Sequence, residues 1–219
     1  MRCLLIVNNY YTLSIQEIEK IKQLDYRPRL LLHSCCAPCS AFVLEYLKNY
    51  FELTIFFNNS NIYPKEEYAK RLTELERYLK LFNEKHRTEV GLVVSKYKPE
   101  QIYNLLAVYE NEREGGKRCE ICFATRLEEC FEYGVKNKFD YITTAMSISR
   151  QKDSQLLNKI GQQLESKYDL KYFYSDFKKK DGLLYRNQLV KKHQLYSQQY
   201  CGCKYSYQDY QERTDKHER

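Results

Sequence analysis

Arg29-Leu30-Leu31-Leu32-His33-Ser34-Cys35-Cys36-Ala37-Pro38-Cys39 is the stretch that decides the fold. Its first five residues are a short apolar run of the kind buried inside a parallel sheet. Pro38 suits the first turn of a helix. The cysteines therefore fall in a loop between a strand's carboxyl end and a helix's amino end. That helix end carries partial positive charge, which lowers thiolate pKa values and favours an anionic ligand.

The same alternation continues outward. Leu53 to Phe57 reads as a second strand, closed by Asn58-Asn59-Ser60-Asn61, and Pro64 opens a long helix to about His86. Leu92 to Val94 is a third strand, and Pro99 starts a helix to about Tyr109. After the loop Glu114-Gly115-Gly116-Lys117-Arg118, residues Cys119 to Val135 are helical. Tyr141 to Ala145 is a fourth strand with a polar turn, Met146 to Gln151, behind it. Asp153 to Glu165 is helical, Lys171 to Tyr174 is a short strand, and Leu184 to Gln198 reads as the last long helix. Strands alternating with helices predict a doubly wound, mostly parallel α/β sheet. In such sheets ligands bind beyond the carboxyl ends of the strands, where the first cysteines lie. Tyr26-Arg27-Pro28 reads as an extended linker. It separates an extension (1–28) from an α/β domain (29–206), which a polar tail (207–219) follows.

The 219 residues hold nine cysteines, and eight of them fall into three clusters: Cys35, Cys36 and Cys39; Cys119 and Cys122, with Cys130 further on; and Cys201 and Cys203. Three cysteines in five residues are too dense for a chance pair on a turn. Cys-x-x-Cys at a helix start lets two sulfurs face one centre, as in zinc and iron–sulfur sites. A thioredoxin-like redox pair is the competing reading. Cys201-Gly202-Cys203 can shuttle between dithiol and disulfide, with Gly202 giving the backbone its freedom, or it can bind metal. Cys130 reads as core, and Cys3 as an isolated small apolar residue. A composite thiolate site is the leading expectation. His33 stands beside the cysteines, whereas His86, His193 and His217 read as ordinary residues.

Composition narrows the classes. The apolar burst Leu4 to Val7 is too short for a signal peptide, and no apolar run spans a membrane. A reducing, cytoplasmic setting follows as an expectation, and clustered cysteines there are metal-binding or catalytic. Lys and Arg exceed Asp and Glu by 36 to 29, a net +7 that suits an anionic partner such as RNA. Lys178-Lys179-Lys180 and Lys191-Lys192 read as solvated basic runs open to phosphate contact. The turn ending at Lys152 and Asp153 reads equally as a solvated turn or a phosphate contact. Nucleotide-alpha-hydrolase enzymes, which share this architecture, place a Gly-rich pyrophosphate loop after the first strand. Here thiols stand in that place, which argues against ATP adenylation.

Taken together, His33-Ser34-Cys35-Cys36-Ala37-Pro38-Cys39, Cys119-Glu120-Ile121-Cys122 with Arg126-Leu127, Thr143-Thr144 and Tyr200-Cys201-Gly202-Cys203 resemble the epoxyqueuosine reductase family QueH over residues 29 to 206. The resemblance implies a nucleotide-alpha-hydrolase (Rossmann-like) α/β fold with a Cys-rich metal site at the strand carboxyl ends. It implies reduction of epoxyqueuosine to queuosine at the wobble base of tRNA, without cobalamin and with an unidentified electron donor. It also implies a [4Fe-4S] cluster held by Cys35, Cys36, Cys119 and Cys122, with a neighbouring iron. Cys201 and Cys203 would be the redox-active pair or ligands of that iron, for which Cys39 is a further candidate. Two rivals remain. A zinc-stabilised RNA-binding protein without catalysis would leave Cys201 and Cys203 no separate task. A thiol–disulfide oxidoreductase would need one pair, not eight clustered thiols.

Overall fold

Residues 9–217 are described by the structure, a computed structural model; Cys3 lies outside them. Five strands form one sheet: β1 (Arg29–His33), β2 (Glu52–Phe57), β3 (Gly91–Val94), β4 (Tyr141–Thr144) and β5 (Lys171–Tyr172). All neighbours are parallel, in the order β3-β2-β1-β4-β5. β1 is central. Its Leu30 pairs with Leu53 on one side and Tyr141 on the other.

Alternation along β1 explains the two layers. Leu30, Leu31 and Leu32 are all fully buried. Leu30 and Leu32 enter a core with Val43, Leu44, Leu75 and Tyr78. Leu31, pointing the other way, enters a second core with Leu127, Phe131, Leu157 and Ile160. Each such leucine contributes roughly 1.5–3 kcal/mol by leaving water. One face is covered by α1 (Tyr10–Ile21), α2 (Ala37–Leu47), α3 (Lys65–His86) and α7 (Gly182–Lys192). The other is covered by α5 (Lys117–Lys136) and α6 (Ser154–Tyr168). The helices change face where the chain leaves β3, so the switch point lies between β1 and β4. A crevice opens there at the strands' carboxyl ends.

The expected doubly wound α/β sheet is therefore present, with local differences. The helix expected over 184–198 is α7, which stops at Lys192. Gln194 takes a left-handed φ of 50°, and the turn it makes sends Leu195 into the core. The polar segment from residue 207 lies within α8 (Lys204–His217), whose first turns pack Tyr207 and Tyr210 against Tyr200. The turn expected over 146–151 begins as a buried 3-10 turn, Ala145–Ile148. α4 (Pro99–Ala107) spans the crossover from β3 to α5. No described helix is long and apolar enough to cross a membrane.

Candidate functional site

β1 delivers His33 and the first cysteines into the crevice. His33 is fully buried, with Nδ1 2.9 Å from Thr144 Oγ1 at the end of β4. Burial, helped by the charge of Arg126, pushes its imidazole pKa down to about 3, so the ring is neutral. The loop behind it is fastened on all sides. The Ser34 carbonyl accepts from Asn59 Nδ2 at 2.8 Å, and Asn59 Oδ1 accepts from Arg126 Nη2 at 2.6 Å. Arg126 Nε donates to the Asn58 carbonyl at 3.3 Å. The loops after β1 and β2 are thus locked to α5 by one buried arginine.

Cys36 caps α2 with extended backbone, and Pro38 stands in its first turn. As a result the sulfurs of Cys35, Cys36 and Cys39 lie within 4.8 Å of one another, all buried. Among the described residues this is the one such group of three or more His, Cys, Asp and Glu. Hydrogen bonds from Cys36 and then Cys39 hold the Cys35 thiol well below the usual thiol range. The same bonds to Cys35 push Cys36 and Cys39 upward. The trio therefore holds one thiolate readily. Gln198 Nε2 lies 3.3 Å from Cys36 Sγ and donates to it.

Cys119 and Cys122 open α5. The Gly115 N–H donates to Cys119 Sγ at 3.2 Å, and Gly115 turns with a φ of +85° that favours glycine. Burial raises both thiols, Cys122 to about 12. Both lie within electrostatic reach of Cys201 and Cys203. Cys203 packs with Cys122 and Tyr205 in a small apolar cluster. Cys130 is fully buried among Leu127 and Phe131, away from the crevice.

The Cys201-Gly202-Cys203 loop is clamped from α3. Arg71 Nη1 donates to the Cys201 carbonyl at 3.0 Å, and Nη2 donates to the Tyr200 carbonyl at 3.3 Å. Its Nε is paired with Glu67 at 2.7 Å, where Tyr196 Oη also donates at 2.8 Å. The Gly202 carbonyl accepts from the Tyr63 N–H at 2.7 Å. Gly202 has a φ of +131°, and a Cβ there would stand 2.9 Å from Arg71 Nη1. All eight described cysteines are free thiols.

Lys152 completes the wall. It is buried, and it lines a cavity of about 250 Å³ together with Cys39, Arg150, Arg186, Gln198 and Cys201. Burial alone would lower its pKa, but the sulfurs of Cys201, Cys35 and Cys39 outweigh it and hold the ammonium charged. A larger hollow of about 690 Å³ lies at the opposite, amino end of β1 and β2, among Arg27, Arg29, Glu52 and Arg87. It contains no cysteine, whereas Cys39 and Cys201 line the smaller cavity.

The donor set fits a soft, thiolate-bound metal. Three buried sulfurs stand together, Cys201 lies within electrostatic reach of Cys35 and of Cys119 and Cys122, and the buried cations Arg126 and Lys152 offset negative charge on Cys35. The Cys35–Cys36–Cys39 trio is tight, whereas Cys119 and Cys122 approach from α5 beside Cys201 and Cys203. The cysteines were legible in the sequence; Arg71, Lys152 and Gln198 were not. Asp153, which follows the turn read as a possible phosphate contact, caps α6 through a 2.8 Å bond from the Gln155 N–H. His86 bonds to Glu45, and Tyr78 meets His193 edge-on, both outside the crevice.

The family model described as "Epoxyqueuosine reductase QueH" matches residues 30–209. Epoxyqueuosine reductase QueH of Streptococcus pyogenes serotype M1 is 37% identical over 197 residues, 90% of this chain and 77% of that protein. The protein of the same name from Staphylococcus aureus is 38% identical over 179 residues, 81% of this chain and 75% of its own length. The one from Haemophilus influenzae is 37% identical over 193 residues, 87% and 76% of the two chains.

Proposed function

The chain belongs to the epoxyqueuosine reductase QueH family, and from that premise we propose that it converts epoxyqueuosine to queuosine at the wobble base of tRNA without cobalamin. Family membership makes it an oxidoreductase. The observation that carries the finer reading is that Cys39, Cys201 and Lys152 line one cavity, with the sulfurs of Cys35 and Cys36 within 4.8 Å of that of Cys39.

Removing an epoxide oxygen as water and leaving an alkene takes two electrons and two protons. A dithiol closing to a disulfide supplies both. Cys201 and Cys203 are the pair for this task, because they share one clamped loop and Cys201 opens onto the cavity. An external low-potential donor then reopens the disulfide. Cys35, Cys36, Cys119 and Cys122 would hold a [4Fe-4S] cluster, and Cys39 would serve an adjacent iron. When bound, such a centre supplies electrons singly and binds oxygen as a Lewis acid. Lys152 keeps a positive charge beside the sulfurs and faces the cavity where the oxygen is lost. Arg126 and Asn59 hold the Cys35 loop in register. Free thiols and a tRNA substrate fit a reducing cytoplasm.

The test is anaerobic purification, then reaction with tRNA bearing epoxyqueuosine, a low-potential reductant and no cobalamin. Nucleoside mass spectrometry is expected to show queuosine. Unchanged epoxyqueuosine with iron-loaded, reduced protein would overturn the reading.

A further inference from the structure

From Gly182 to Gln208 the chain carries no Asp or Glu, and this stretch contains all of α7. One side of α7 places Leu183, Arg186 and Asn187 on the cysteine cavity. Its other side places Tyr185 on a second, largely aromatic hollow of about 220 Å³, with Phe42, Tyr46 and Phe177. Tyr185 lies parallel to Phe42 at 6.3 Å between centroids, yet stays 52% exposed. Lys179 and Lys180 also line that hollow. Its one carboxylate, Asp176, is already engaged by Ser154 and Lys178. Among the described residues Arg150, Lys180, Arg186, Lys191 and Lys192 take part in no ion pair.

The cations of the opposite hollow are differently placed. Lys48 and His86 bond to Glu45, Arg29 donates to the carbonyls of Asn137 and Lys138, and Glu52 and Glu89 share the lining. Among the described residues Arg27 and Arg87 there are likewise in no ion pair, but Glu52 and Glu89 share their hollow, whereas no carboxylate lines the cysteine cavity, so the positive charge without a neighbouring carboxylate sits on the α7 side.

We propose that α7 is the docking helix for the RNA, a wedge that parts two neighbouring nucleotides of a single-stranded loop. One base enters the cysteine cavity, and its neighbour stacks in the Tyr185 hollow. The phosphates between and beside them meet Arg186, Lys180, Lys191 and Lys192. Single-stranded RNA is recognised in this way, by splayed bases on aromatic rings and by cations along the backbone. The inference rests on the tRNA reading above and adds the surface that holds the RNA.

The experiment measures fluorescence anisotropy of a labelled anticodon stem-loop RNA against wild type, Tyr185→Ala, the double variant Arg186→Glu/Lys191→Glu, and Arg27→Glu/Arg87→Glu from the opposite hollow. All substituted side chains are at least partly exposed, and iron content and urea midpoints confirm folding. Tyr185→Ala is expected to weaken binding at least about fivefold, the lower end of one lost base stack. The α7 double variant is expected to lower the slope of log Kd against log salt by about 0.7 per lost phosphate contact. Arg27→Glu/Arg87→Glu is expected to bind as wild type. Tight, salt-dependent wild-type binding that both α7 variants retain would dismiss α7 and leave the tRNA reading standing. A larger loss in the Arg27→Glu/Arg87→Glu protein would likewise overturn the docking helix. A wild-type protein that neither binds nor reduces tRNA would remove both.

Discussion

The Arg71 guanidinium donates to the Cys201 carbonyl at 3.0 Å across 130 positions of sequence, and so ties the second turn of α3 to the Cys201-Gly202-Cys203 loop. Arg71 is fully buried beside Glu67, which is 8% exposed. Breaking a buried pair leaves an uncompensated charge, at a cost of about 3–5 kcal/mol. Arg71→Met is therefore expected to lower unfolding stability by about 3 kcal/mol or more, read from urea denaturation. A loss well under 1 kcal/mol would show that the clamp contributes little.

Gly202 should tolerate no side chain. Its φ of +131° is costly for alanine, and the new Cβ would press on Arg71 Nη1. Gly202→Ala is expected to cost about 1–3 kcal/mol and to slow turnover, while iron content stays near wild type. Unchanged stability and rate would mean that the loop is looser than its contacts indicate.

The cysteines are expected to separate into ligands and core. Cys36→Ser and Cys122→Ser are expected to lose most of the iron and acid-labile sulfide of anaerobically purified protein, since a hard hydroxyl replaces a soft thiolate. Cys130→Ser should keep its iron and lose about 1–3 kcal/mol of stability, because a hydroxyl then sits in an apolar core. Full iron in Cys122→Ser would strike that residue from the ligand set.

Cys201→Ser addresses the redox pair. The variant is expected to retain most of its iron yet convert no epoxyqueuosine, because a single thiol cannot close a disulfide within its loop. Nucleoside mass spectrometry decides the point. Wild-type turnover would dismiss the pair from the chemistry while leaving the substrate in place.

Acid stability depends in part on Glu45, which joins α2 to the end of α3. Burial would raise its pKa, but bonds from Lys48, Lys85 and His86 hold it at about 2, against an ordinary value of 4.5. The folded pKa is the lower one. The stabilisation is therefore complete above about pH 4.5 and fades as pH falls toward 2. Glu45→Gln should flatten the stability profile across that window, as followed by circular dichroism against pH. An identical profile would assign the acid loss to other groups.

Legibility followed range. β1 could be read directly, because three consecutive leucines ahead of a cysteine loop serve two cores at once. The cysteine clusters were equally plain, since nothing structural demands such density. Arg71 was hidden. Within Lys-Glu-Glu-Tyr-Ala-Lys-Arg it reads as a solvated i,i+4 partner of Glu67, and only a loop arriving from far along the chain buries it. Lys152 was hidden for the same reason, in a turn that looks polar until the sulfurs close over it. α8 carries no apolar stripe, so its helix depends on tyrosines meeting Tyr200 from outside the segment.

The clamp on Cys201 also orders events in time. A ribosome delivers Cys35, Cys36 and Cys39 well before the Cys201 loop they face, so the three thiols wait through the intervening synthesis without that cover. During that wait they are exposed to oxidants and to stray ions that bind thiolates well. Any metal the trio is to hold is therefore best delivered once the Cys201 loop can dock, or the nascent thiols must be shielded until then. Arg71, buried only once that segment docks, works as the latch on a chamber that closes after it is furnished.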